Sequence, residues 1–281
     1  MFSNKEIERY YDLTEFHYRL HWNLKQSRSL HYGYWDETTR NFHEALLNIN
    51  KVLSQKASIT NRDHVLDAGC GIGGSSLWLA AHLECRVTGI ALNEKQLVTA
   101  RGLAEEEGLQ YLVDFQRADF TQTTFADNTF DVVWAIESVC HAPEKINFLK
   151  EAHRLLKPGG CLIMCDYFKK SGLTTKENNI ILKWVNGWAI NDIPVIDLFI
   201  RDALHAGFAS LEIEDASKAI APSARRMAKA YYIGMVPSFL YNLFHRNVSS
   251  HGKNNVRAAY FQYKGLKKQL WKYKIIYAVK K

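Results

Sequence analysis

The stretch HVLDAGCGIGGSSLWLAAHL, from His64 to Leu83, limits the possible folds more than any other part of the chain. Val65 and Leu66 read as the end of a buried strand, and Ser75 to Leu83 as a helix with Leu77, Ala80 and Ala81 on its inner side. Asp67 to Gly74 is then a strand-to-helix turn. Gly69, Gly71 and Gly74 satisfy the GxGxxG spacing, which lets a ligand approach the backbone at a helix N-terminus. That spacing fits a dinucleotide, another nucleoside-bearing cofactor, or a close crossing of helix and strand.

The same texture continues. CRVTGIAL, LVDFQRAD, FDVVWAIES and GCLIMCDYF read as strands, and NEKQLVTARGLAEEEG and EKINFLKEAHRLLK as helices between them. Short apolar runs alternating with helical periodicities predict an α/β fold: a Rossmann-like, seven-stranded, mostly parallel sheet with helices on both faces. FASLEIED and LWKYKIIYAVKK supply the last strands. Residues 1–60, rich in Tyr, Trp, His and Leu, predict a helical cap with helices near Tyr10 to Leu24 and Thr39 to Leu53, separated by SLHYGYWDE. Within 61–281, polar and Tyr-rich stretches at about 171–204 and 218–270 predict helical cover, including a helix around Ile180 to Ala189 and one over Asn191 to Leu204 entered through Pro194.

Composition narrows the function classes. A hydrophobic share of 47% over 281 residues supports a large core, and the apolar runs are too short or interrupted to span a bilayer. The start, MFSNKEIERYYD, has no apolar core of a leader, and the 5 cysteines have no framework spacing, so a reducing, cytoplasmic setting is expected. With no CxxC or HExxH, no metal site is expected. The net charge of +7 is concentrated in KGLKKQLWKYKIIYAVKK, and a solvated face explains it better than nucleic acid, for which no zinc-finger or RNP-like pattern is present.

The second strand ends Gly89-Ile90-Ala91-Leu92-Asn93 without the acidic residue that binds a dinucleotide ribose, and Asp67 would repel a pyrophosphate while favouring a cationic cofactor. VLDAGCGIGG, VTGIALNEKQ, RADF, FDVVWAIESVCHAPEK and LLKPGGCLIMCDYF together resemble the class I S-adenosylmethionine-dependent methyltransferases. The likeness is to the branch with sterol and tocopherol C-methyltransferases, cyclopropane-lipid synthases and isoprenoid-diphosphate methyltransferases. It implies S-adenosyl-L-methionine as cofactor. It implies that Asp67, Gly69, Cys70 and Gly71 approach the amino-acid part of the donor, that Gly89, Ile90, Leu92 and Gln96 lie about the ribose and adenine, and that Asp119 and Phe120 meet the adenine. Ala135, Ile136 and Glu137 would lie beside the sulfonium and the substrate entrance.

The donor methyl is already activated, so the protein has to align a nucleophile and exclude water. Glu137 and His141, after the fourth strand, are the candidates for base or substrate-orienting roles. SLHYGYWDE resembles a segment that closes over the donor, with Tyr32, Tyr34 and Trp35 as aromatic wall and His31 orienting a polar group. Trp184, Trp188, Tyr231 and Tyr232 are expected on the cover helices, the first three as substrate contacts. The expected reaction is methyl transfer to carbon or oxygen of a small, largely apolar molecule. The alternatives are a nitrogen acceptor methylated by proximity, a noncatalytic donor-binding protein, and a nucleic-acid modifier. AIESVCHAP in place of an Asn/Asp-Pro-Pro-aromatic segment argues against the last.

Overall fold

The computed structural model describes residues 1–22, 28–229 and 250–281, with backbone alone for 14–22, 250–254 and 256. Helix α1 (Asn4–Trp22) and α2 (Phe42–Lys56) precede the alternating region. There follow β1 (His64–Ala68), α3 (Gly74–Leu83), β2 (Arg86–Ala91), α4 (Glu94–Glu106), β3 (Val113–Arg117), β4 (Phe130–Ile136), α5 (Lys145–Leu155) and β5 (Leu156–Lys169). The rest comprises α6 (Thr175–Val185), α7 (Ile196–His205), β6 (Phe208–Asp215), a helix α8 over 217–229, α9 (Ser250–Lys267) and β7 (Trp271–Lys280).

The seven strands lie in the order β3-β2-β1-β4-β5-β7-β6, with only β7 antiparallel to its neighbours. The strand order reverses between β1 and β4, which pair at Asp67↔Trp134, and a doubly wound sheet presents its ligands outside the strand ends at that switch. Successive strand residues alternate between two cores, as the period of two requires. Val65, Val132, Trp134 and Ile163 pack on one face, and Leu66, Val133, Ala135 and Leu162 on the other. Burial on both faces is why these strands read as continuous apolar runs.

Local chemistry moved several boundaries. Asn41 caps α2 by accepting from the Glu44 N–H, so the helix starts at Phe42 instead of Thr39. A capping box between Thr174 and Glu177 starts α6 at Thr175, ahead of Ile180. Pro194 does not lie within α7; its carbonyl accepts from Lys169 N–H, and the helix begins at Ile196. The KPGG segment belongs to β5, which carries Gly159 at φ 78° and an irregular register with β4.

Candidate active site

The ends of β1, β2 and β4 form the floor of a cleft. The turn after β1 supplies Asp67, Gly69, Cys70 and Gly71. Gly69, Gly71 and Gly73 take positive φ (96°, 55° and 84°), so Gly73, outside the GxGxxG reading, is one of the residues that make the turn. Gly71 faces open space where a Cβ would stand, leaving room for a ligand against the backbone. Asp67 is buried, accepts from the Ser76 hydroxyl at 2.6 Å, and is raised to about 6 by burial. A buried carboxylate beside bare glycines suits a donor that brings a positive ammonium, and Leu92, Gln96 and Phe120 offer apolar and polar edges farther along the same wall.

The other expected donor contacts lie elsewhere. Gly89 is under the floor: a Cβ there would stand 2.6 Å from the Phe115 ring, so the glycine makes room for Phe115. Ile90 and Ala135 point into the opposite core, whereas Ile136 lines the cleft and the strand period brings Ala91 there in place of Ile90. Asp119 stands outside the lining, because Thr121 occupies one oxygen and Asn4 Nδ2 donates to the other at 2.7 Å.

That Asn4 contact belongs to a set that lays α1 across the mouth. Glu8 pairs with Arg117 at 2.7 Å, and Asp12 accepts from Asn93 and Lys95 at 3.0 Å. Ile7 and Tyr11 thereby enter the lining, together with Arg28, Ser29 and Leu30. Ser29 and Leu30 belong to SLHYGYWDE, the segment expected over the donor, but sequence reasoning missed Ile7, Tyr11, Arg28 and Ser138, whose hydroxyl donates to the Ala68 carbonyl at 2.6 Å. Asn93 was legible: in NEKQ it caps α4 by accepting from the Lys95 and Gln96 N–H groups. A Cβ on Gly74 would collide with the Arg28 carbonyl. Gly74→Ala is therefore expected to leave α3 folded, since Ala is the better helix former, but to push out residues 28–31 and weaken donor binding about tenfold, measurable by calorimetry.

Glu137 closes the inner end of the cleft. It sits at φ 50°, uncommon for a residue with a side chain, immediately after β4. Its carboxylate accepts from Tyr32 N–H at 2.7 Å, from the Tyr273 hydroxyl at 2.8 Å and from the Tyr167 hydroxyl. Burial raises it to about 8 against the pull of these donors. His141, in a single 3₁₀ turn (Val139–His141), has Nδ1 2.9 Å from the Ala189 carbonyl and Nε2 2.9 Å from the Tyr11 hydroxyl. The turn is braced from below: Lys145 Nζ donates to the Cys140 and Ala142 carbonyls, and Asp166 accepts from Cys140 N–H.

Behind this wall is a second, smaller chamber, lined by Tyr10, Tyr167, Trp188, Ile190 and Met227 among others. Tyr11, Leu30, His31, Glu137 and His141 line both spaces and so form their partition. Of the expected substrate contacts, His31, Glu137 and Trp188 are brought together here. Tyr32 lies just behind, fully buried, with its hydroxyl on Gln262 at 2.7 Å. Trp184 is also buried behind the lining, 4.6 Å from the Trp271 ring. Tyr34 and Trp35 do not reach either space, which corrects the expected aromatic wall. The Ser223 hydroxyl accepts from Gly33 N–H and from Trp35 Nε1 and donates to the Gly33 carbonyl, while Tyr34 N–H donates to Ala45, so this stretch is clamped between α2 and α8. Tyr231 and Tyr232 lie outside the described residues.

Comparison with known proteins agrees with this geometry. Residues 66–164 match the methyltransferase domain family. The chain is 30% identical over 72% of its length to 27-O-demethylrifamycin SV methyltransferase of Amycolatopsis mediterranei, 75% of which is covered. It is 32% identical over 72% of its length to cycloartenol-C-24-methyltransferase 1 of rice (Oryza sativa), 58% of which is covered. A solved geranyl diphosphate methyltransferase, in complex with GPP and sinefungin, superposes with a TM-score of 0.79 at 18% identity, covering 99% of each chain. The chain belongs to the S-adenosylmethionine-dependent methyltransferases, and it is an enzyme of small-molecule methylation. No helix among the described residues is long and apolar enough to cross a membrane.

Proposed function

We propose that the outer cleft holds S-adenosylmethionine and the inner chamber holds a small, largely apolar acceptor, an isoprenoid, lipid-like or aromatic molecule methylated at carbon or oxygen. The observation that carries this reading is the shared lining: Tyr11, Leu30, His31, Glu137 and His141 border both spaces, so a methyl group at the inner end of the cleft lies where an acceptor in the chamber would meet it directly. The lining sets Leu30, Trp188, Ile190 and Met227 beside the polar tips of Tyr10, Tyr11, His31, Glu137, His141 and Tyr167, which suits an apolar body that carries a polar group. The names of the relatives, one a methyltransferase of cycloartenol and one of 27-O-demethylrifamycin SV, support a lipophilic acceptor.

In this reading Glu137 and His141 orient the wall. Glu137 ties residue 32 to β5 and β7 through Tyr167 and Tyr273, and His141 ties α1 to the turn after β4 through Tyr11. A cytoplasmic setting, where all five free cysteines would stay reduced, belongs to the same proposal. Incubating the full chain with isotopically labelled S-adenosylmethionine and a native metabolite extract is expected to place the label in a small apolar product. Label appearing in RNA, DNA or protein instead would overturn the acceptor assignment.

A further inference from the structure

The two imidazoles in the partition have the same tautomer but different freedom. A carbonyl only accepts, so His141 Nδ1, 2.9 Å from the Ala189 oxygen, carries the proton, and Nε2 takes the Tyr11 hydroxyl at 2.9 Å. His31 Nδ1, 3.0 Å from the Tyr32 carbonyl, likewise carries its proton. Its Nε2 is then a bare lone pair, and it is buried without a hydrogen-bond partner among the described residues. Leaving such an acceptor unpaired is costly, so a ligand that supplies a donor gains by filling it. The third polar group of the wall, Glu137, already receives three donors. His31 thus brings to the partition a buried acceptor with no donor on it, and the residue borders both the cleft and the chamber.

We propose, resting on the reading that the inner chamber holds the acceptor, that the acceptor bears a hydroxyl whose proton is taken by His31 Nε2, so that the transfer is to oxygen. As the hydroxyl oxygen bonds to the methyl carbon, its O–H proton passes to Nε2, and the bond from methyl to the donor sulfur breaks with its electron pair left on sulfur. The products are an ether, S-adenosylhomocysteine and the His31 imidazolium, which returns the proton to water when the products leave. Burial lowers His31 to about 4, so the ring is neutral and able to accept throughout the neutral range. A weak base suffices at this point, because the oxygen becomes strongly acidic only as its bond to the methyl forms.

The test uses two probes of equal shape, 4-methylphenol and 1,4-dimethylbenzene, titrated into the full chain saturated with S-adenosylhomocysteine and followed by NMR with ¹⁵N-labelled histidine and tryptophan and ¹³C-methyl methionine. The phenol is expected to bind about tenfold more tightly, to shift the His31 Nε2 resonance, and to lose its advantage in His31→Phe while dimethylbenzene affinity stays within about threefold. His31→Asn, whose amide nitrogen can replace Nδ1–H at the Tyr32 carbonyl, carries the same comparison should the Phe variant unfold. A phenol preference that survives these substitutions, or phenol bound without a shift at Nε2, overturns the role of His31 and leaves the chamber assignment standing. Failure of both probes to perturb Trp188 and Met227 overturns the chamber reading, and this inference with it.

Discussion

Asp67→Asn is expected to weaken S-adenosylmethionine binding about 30-fold and, in the same protein, to raise the unfolding temperature of the donor-free chain at neutral pH. The two effects have opposite sign because one carboxylate serves two states. Alone, Asp67 is a buried anion with the Ser76 hydroxyl as its side-chain donor, and burial raises it from 3.8 to about 6. A shift of about two units at 1.36 kcal/mol each means that ionised Asp67 costs the free fold roughly 3 kcal/mol. The sign follows from linkage: the stability tied to the raised value is fully present below about pH 4, where folded and unfolded states are both protonated, and is lost as pH rises through about 6. Asparagine removes that cost and still accepts from Ser76. With the donor bound, the charge has a partner, and losing a charge-assisted contact costs about 2 kcal/mol, or 30-fold. Donor affinity of the natural chain should therefore strengthen as pH rises through about 6, and that pH dependence should vanish in Asp67→Asn. Calorimetry across pH 5 to 8 with paired thermal unfolding measures both; unchanged affinity in the variant would remove Asp67 from the donor site.

Why the donor half was readable and the partition was not comes down to sequence distance. The turn from Asp67 to Gly74 is local, and strand period, glycine spacing and helix onset lie within a few residues of one another. The partition has no such locality: Tyr32 meets Glu137 across 105 residues, and Tyr273 meets it across 136. Aromatic residues in SLHYGYWDE gave no period that would separate Tyr32, which reaches the wall, from Tyr34 and Trp35, which are held by Ala45 and Ser223. The entry of α1 into the cleft depends on polar pairs such as Asn4 with Asp119, whose partners are 115 residues apart. Asp119 shows the consequence: its place at the end of the β3 region was legible, but the group that occupies its second oxygen was not.

The same long-range convergence makes Glu137→Gln the substitution with the largest expected loss of turnover, about 10²-fold, with donor affinity changed little. Glutamine keeps the length of the side chain and one carbonyl oxygen, so Tyr32 N–H and the Tyr273 hydroxyl retain an acceptor. Its amide nitrogen, however, can only donate, so the Tyr167 hydroxyl that donates to the second carboxylate oxygen has to reverse its bond, accept from the amide and point its own proton elsewhere. Tyr167 lines the inner chamber and packs edge-on to Tyr32 at 5.9 Å, so the disturbance passes to the segment that carries Leu30 and His31. A misplacement of about 1 Å at a reacting pair is enough for a 10²-fold loss. The contrast with a purely conformational role is supplied by Glu137→Gly, which relieves the φ of 50° yet removes all three contacts. If the carboxylate network positions the wall, the glycine variant loses more activity than glutamine despite its easier backbone. Near-normal turnover of the identified acceptor in Glu137→Gln would instead show that Tyr32, Tyr167 and Tyr273 hold the partition without a second acceptor oxygen at residue 137.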